Sequence, residues 1–166
     1  ASYDKVHGAL AIGSFGFEMN RRNWIVRGNA TYSHLDDAAK MTTFMNAFPK
    51  HTQQDGSPSK HSPIASNAYA VGLEAGYNIF SQISSLCDKQ KLYLFGRYED
   101  YNTYAAGNKK VAYKYDRVKR MAVGVNYSPI KQIIIKGEYG KRFLSHGFND
   151  EPSVSLGITF YGWFLK

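Results

Sequence analysis

The chain has 166 residues, enough for one domain with a real core, and carries a formal net charge of +8. It is 15% aromatic, with 13 Tyr and 10 Phe against only 5 Pro. Mean hydropathy is −0.42 and no apolar run approaches the ~18 residues of a membrane helix, which excludes transmembrane helices but not transmembrane strands of about 9–11 residues. The positive charge is spread beside acids, as in RYED (97–100) and KGEYGKR (136–142), and no nucleic-acid-binding motif accompanies it, so no nucleic-acid partner is expected. The single cysteine, Cys87, can form no internal disulfide. No secretory signal pattern opens the sequence.

In chain order, 6–19 predicts a strand with blurred alternation: Ala9, Ala11, Phe15, Phe17 and Met19 share a face, but Leu10 and Ile12 oppose them. NRRN (20–23) is a short turn. Residues 24–34 alternate cleanly, Trp24, Val26, Gly28, Ala30 and Tyr32 against Ile25, Arg27, Asn29, Thr31 and Ser33. A long connection, 35–66, holds a short helix over LDDAAKMTTFMNAF (35–48) and then a polar loop. Strand 67–80 places Tyr69, Val71, Leu73, Ala75, Tyr77 and Ile79 on one side, with Glu74 among small residues on the other. A turn of about ten residues, SQISSLCDKQ, precedes strand 91–104, where Arg97 and Glu99 oppose Leu92, Leu94, Gly96 and Tyr98. Strand 111–127 sets Arg120 against Met121, Val123 and Val125. A tight turn at SPIK (128–131) leads to strand 132–143, with Lys136, Glu138 and Arg142 opposite Ile133, Ile135 and Tyr139. The last strand, 153–165, presents Val154, Leu156, Ile158, Phe160 and Phe164 on one face.

Seven strands joined by alternately short and long connections predict an all-β, antiparallel, up-and-down meander. Short turns at one end and long loops at the other are the pattern of a transmembrane β-barrel in the bacterial outer membrane, with residues 1–166 as one barrel domain. The apolar faces carry Trp24 with Tyr32 and Tyr69 with Tyr77, each pair eight residues apart. That spacing is roughly 26 Å along a strand, or about 20 Å along the membrane normal at a tilt of about 40°, close to a lipid band between aromatic girdles. A soluble barrel with its apolar face inside remains the other solution to the same alternation. Seven is an odd count for a bacterial barrel, which leads to the expectation that the chain supplies the C-terminal part of a larger barrel. An eight-stranded barrel with a strand hidden in 35–66 is the alternative.

The second half also resembles a known family. KLYLFGRYEDYNT (91–103), VGVNYSPIKQIIIKGEYGKRF (123–143) and SVSLGITFYGWF (153–164) are similar to the C-terminal strands of Bacteroidota outer-membrane porins of the phosphate-selective porin O and P type. Arg97, Tyr98, Glu99, Tyr101 and Thr103 match one strand motif, with Asn102 in place of Asp. Gly124, Asn126, Tyr127, Pro129, Lys136 and Tyr139 match the hairpin that follows. The match covers about 75 residues, by comparison of the quoted segments alone. The chain ends in Lys166 rather than an aromatic residue, a departure from that pattern.

The resemblance implies a passive channel for small polar or anionic solutes, with no cofactor and no catalysis. Arg27, Glu74, Arg97, Glu99, Arg120, Lys136, Glu138 and Arg142 are the expected pore-lining residues, five bases to three acids. Trp24, Tyr32, Tyr69, Val71, Leu73, Tyr77, Ile133, Ile135, Leu156 and Phe160 are the expected lipid-facing residues. Outer-membrane lipid and solutes are the expected partners, with other copies of the chain or other outer-membrane proteins open. Two readings compete: a non-conducting barrel that holds a partner, and an enzyme built on His34 with Asp36 and Asp37, or on His146 with Asp150. His7, His34, His51, His61 and His146 lack zinc-like spacing.

Overall fold

A computed structural model describes residues 7–47, 64–83, 90–105, 117–144 and 152–161. Seven strands form one sheet: β1 (Leu10–Arg21), β2 (Trp24–Leu35), β3 (Asn67–Asn78), β4 (Lys91–Ala105), β5 (Arg117–Ile130), β6 (Ile133–Leu144) and β7 (Pro152–Phe160). Each pairs antiparallel with the next in sequence, so the order is β1-β2-β3-β4-β5-β6-β7. The sheet is not closed; β1 and β7 are its edges. Because the strands alternate in direction, these two edge strands run the same way.

The expected face assignments hold in the register for the strand residues described, except that Ile79 leaves β3 for a short 3-10 helix over Ile79–Gln82; Phe164 lies outside the described residues. Strand bounds shift at the turns, for local reasons. The first hairpin turn is two residues, Arg22–Asn23, with Arg21 paired to Trp24. Arg22 adopts φ 55°, the left-handed geometry that two-residue hairpins require. SPIK is not the turn between β5 and β6. The strand continues through Pro129 to Ile130 by an irregularity between Tyr127 and Ile130, and the chain reverses at Lys131–Gln132. Proline lacks a donor and is accommodated where the ladder is already interrupted.

The helix expected over 35–48 is present as α1 (Ala38–Asn46). It lies at the β1–β2 end of the sheet, where Asp36 N donates to Ala9 O and Thr42 Oγ1 accepts from Ile64 N at 2.8 Å. Expected strand residues 111–116 and 162–165, Cys87, and most of the loop sequence of 35–66 lie outside the described residues.

The connections sort by end. Residues 22–23, 79–90 and 131–132 join strands at one end; 36–66, 106–116 and 145–151 join them at the other. Little apolar side chain is buried: among the described residues only Ala38, Phe95 and Ala122 qualify. Phe95 lies across Gly124, occupying the space a side chain there would need. Backbone ladders, not a core, hold this sheet together.

Candidate functional site

One face of the sheet carries the charges. Arg27 of β2 pairs with Glu18 of β1 at 3.2 Å and with Glu74 of β3 at 3.8 Å. Glu74 pairs with Arg97 of β4 at 3.6 Å. Arg97 reaches past β5 to Glu138 of β6, and Glu138 accepts from Arg120 of β5 at 2.6 Å. Arg120 also donates to Glu99 at 3.3 Å, and Glu99 lies 3.9 Å from Arg97. The result is a ladder of alternating sign across six strands, ending in a closed ring of Arg97, Glu138, Arg120 and Glu99. Charge-assisted bonds of this kind are strongest where water is partly excluded.

This face is concave. Arg27 and Glu74 line one cavity of about 370 Å³ together with Lys136, Glu138 and Ser155. On a flat sheet β2 and β7 would stand roughly 24 Å apart, five spacings of about 4.8 Å. The Arg97–Glu138 pair across β5 is a second consequence of the same curl. The exposures are inverted relative to a soluble protein: the Glu138 side chain is 13% exposed, whereas Leu156 on the opposite face is 85% exposed.

The convex face is apolar. Val71, Leu73, Leu94, Val123, Ile135, Leu156 and Ile158 are all exposed there. Contiguous apolar exposure of this kind marks a surface that meets a partner or a membrane in most proteins. The aromatic pairs read from the sequence meet across strands, Trp24 opposite Tyr77 and Tyr32 opposite Tyr69. The Trp24 and Tyr77 rings are 4.8 Å apart.

The upper border of the band drifts steadily along the register. It passes through Tyr32 (β2), Tyr69 (β3), Asp100 (β4), Lys119 (β5) and Lys141 (β6). The level of Tyr32 is that of Tyr69, Asn102 and Arg117; Asp100 and Lys119 are two residues lower, and Lys141 four. The lower border drifts the same way, from Trp24 and Tyr77 to Tyr127 and then to Ile133 opposite Phe160. Four residues at ~3.3 Å over four spacings of ~4.8 Å give a slant of about 35° between strand and band normal. Eight residues at that slant give a band about 22 Å high.

Polar clusters close the band at the end of the long connections. Asp100 is buried on the convex side and accepts two bonds from Arg117, at 3.2 and 2.8 Å, while the Tyr69 hydroxyl donates to it at 3.4 Å. Beyond Tyr32, His34 Nδ1 lies 2.6 Å from Asn67 Oδ1 and Nε2 2.9 Å from Asp36 Oδ1, two acceptors that only the protonated ring can serve at once. The bond to Asn67, then that to Asp36, raises the His34 pKa above its ordinary 6.5.

All eight expected pore-lining residues fall on the concave face, and all ten expected lipid-facing residues on the convex one. The structure brings six of the eight into the ladder and adds Glu18. Lys136 and Arg142 take part in none of its pairs. Glu18, opposite Arg27 across a short hairpin, was missed because the alternation of β1 is blurred; the short turn was the signal that could have found it. Asp100 with Arg117 had only a weak signal, an acid interrupting an apolar face. His34 does bond Asp36, but Asp37 pairs with Lys40 at 2.8 Å instead. His146 and Asp150 lie outside the described residues. Among the described residues no cluster of three His, Cys, Asp or Glu could hold a metal.

No family model matches the chain, and no solved structure matches it. The chain is 28% identical over 131 residues to an uncharacterized protein of Aquifex aeolicus (strain VF5), a match covering 70% of this chain and 25% of that protein. The chain thus spans about a quarter of the length of the relative it matches.

Proposed function

We propose that the chain forms part of the wall of an outer-membrane β-barrel that passes small polar or anionic solutes. The observation that carries the reading is the inversion of the sheet: ion pairs inside the curve, and outside it an apolar band about 22 Å high, slanted about 35° to the strands. Membrane barrels have a band of about 25 Å and strand tilts of about 35–45°. The soluble-barrel alternative needs the apolar face inside the curve, and it is outside. The resemblance to the porin O and P type supports the same reading.

Closure needs further strands. Two edges running in the same direction cannot pair antiparallel with each other, so an odd number of additional strands completes an antiparallel barrel. The ladder is largely self-neutralising, four acids to three bases, so Lys136 and Arg142 carry the anion preference rather than the paired arginines.

The complete protein in a planar bilayer should conduct, with reversal potentials favouring chloride over potassium at low salt, and less so at 1 M where screening shortens to about 3 Å. Lys136→Gln with Arg142→Gln should reduce that preference without closing the pore. Full insertion without current would refute the channel. It would favour the non-conducting, partner-binding barrel, which the ladder across the concave face also supports.

A further inference from the structure

The upper border of the convex face is cationic on β5 and β6, and the lower border of the same strands is not. Arg117 and Lys119 sit on β5 and Lys141 on β6, all directed to the convex side by register. Lys119 lies opposite Phe143, and Lys141 opposite Met121, which puts the two lysines on a diagonal about 7–8 Å apart. Arg117 is committed to Asp100. Lys119 stands opposite Asp100 and adds to the positive field on that carboxylate, which Arg117 already holds in two bonds; neither Lys119 nor Lys141 makes a direct ion pair among the described residues, and Lys141 stands 5.4 Å from the centre of the Phe143 ring. Immediately below them begin Met121, Val123 and Tyr139, each half exposed or more. At the opposite border β5 and β6 present Tyr127 and Ile133 instead.

Two ammonium groups at the edge of an apolar surface, neither in a direct ion pair among the described residues, fit an anion that is covalently attached to acyl chains. The geometry points to a binding site for the phosphorylated glycolipid of the outer leaflet, its phosphate between Lys119 and Lys141 and its acyl chains along Met121, Val123 and Tyr139. The inference rests on the membrane-wall reading and adds a specific lipid partner to it. Three features choose the occupant. The site lies at the end of the long connections, the outer end in a membrane barrel. Its charge complements phosphate, where each Lys or Arg near an anionic headgroup strengthens binding. Tyr69 and the Arg117–Asp100 pair continue the same border with hydrogen-bonding groups suited to a sugar headgroup.

The test uses the complete protein inserted in phosphatidylcholine vesicles containing lipid A, dephosphorylated lipid A or phosphatidylglycerol, with lipid retention read by native mass spectrometry. Lipid A should be retained in preference to the other two, and K119Q/K141Q should weaken that retention about tenfold or more. Equal retention of the dephosphorylated lipid or of phosphatidylglycerol, or undiminished retention by K119Q/K141Q, would overturn the inference. Insertion is scored separately by heat-modifiable electrophoretic migration. A variant that inserts but retains lipid A as the parent does sinks this site alone, and a parent that never inserts sinks the membrane-wall reading with it.

Discussion

The depth of a residue within the apolar band sets the cost of placing a charge there. Leu73 on β3 stands four residues from Tyr69 and four from Tyr77, which at the observed slant is about 11 Å from either border, the midplane. Ile133 on β6, opposite Phe160, stands on the lower border itself. Both lie on the convex face. If that face meets lipid, Leu73→Arg should cost about 2–4 kcal/mol and Ile133→Arg about 0–1 kcal/mol. If it meets water, Leu73 at 52% exposure is a surface residue, and its replacement should fall within about 0.5 kcal/mol of the parent. A cost of about 3 kcal/mol is a change of more than a hundredfold in the folded-to-unfolded ratio, well outside the error of a titration. Urea unfolding of the complete protein in phospholipid vesicles, followed by tryptophan emission and electrophoretic mobility, measures both variants. A Leu73→Arg protein as stable as the parent would refute the argument, and so would an Ile133→Arg protein equally destabilised, because the slant would then be wrong.

Further outcomes follow from the concave face and the rim. Glu138→Gln should destabilise by about 2 kcal/mol, between the small value of an exposed pair and the 3–5 kcal/mol of a buried one, because two arginines lose a partly shielded partner; equilibrium unfolding measures it. Gly124→Val should cost about 1–3 kcal/mol, since its Cβ meets the Gly137 carbonyl oxygen and lies 2.6 Å from the Phe95 ring, whereas Gly72→Ser meets only the mobile end of Asn29 and should stay within about 0.5 kcal/mol in the same assay. For His34 the charged form is the bonded one, so its contribution to holding the β2–β3 rim is complete below pH 6.5 and fades as pH rises through the elevated folded pKa. An imidazole NMR titration with its midpoint at or below 6.5 would contradict this, and His34→Gln should abolish the pH dependence of protease cleavage at that rim.

Much of this was legible because a strand writes its two faces into alternate residues. Arg27, Glu74, Arg97 and Arg120 could be assigned to one face before any pairing was known, and the pairing of consecutive strands followed from connection length. Three things were not legible. Which face is concave is a property of the whole sheet, and both barrel types share the alternation. Partner choice within the ladder depends on register: Arg97 faces Glu74 directly yet also reaches Glu138 two strands away. The path of the chain through Pro129 depends on an irregularity that shifts the reversal to Lys131–Gln132. The slant of the apolar band was present in the sequence all along, but only as spacings that become a direction once the strands are aligned.

The alternating ladder also bears on how such a sheet could assemble without error. A slip of one residue between neighbours would exchange the two faces of a strand, and the surrounding medium would reject it. A slip of two residues keeps the faces and is the harder mistake to detect. Here such a slip between β3 and β4 brings Glu99 opposite Glu74 in one direction and Phe95 opposite Glu74 in the other. Between β4 and β5 it brings Arg97 or Tyr101 opposite Arg120. In both of these strand pairs the misalignment replaces an attraction with a repulsion or with nothing, so the charges of β3, β4 and β5 that line the curve also proofread the pairing of the strands that carry them.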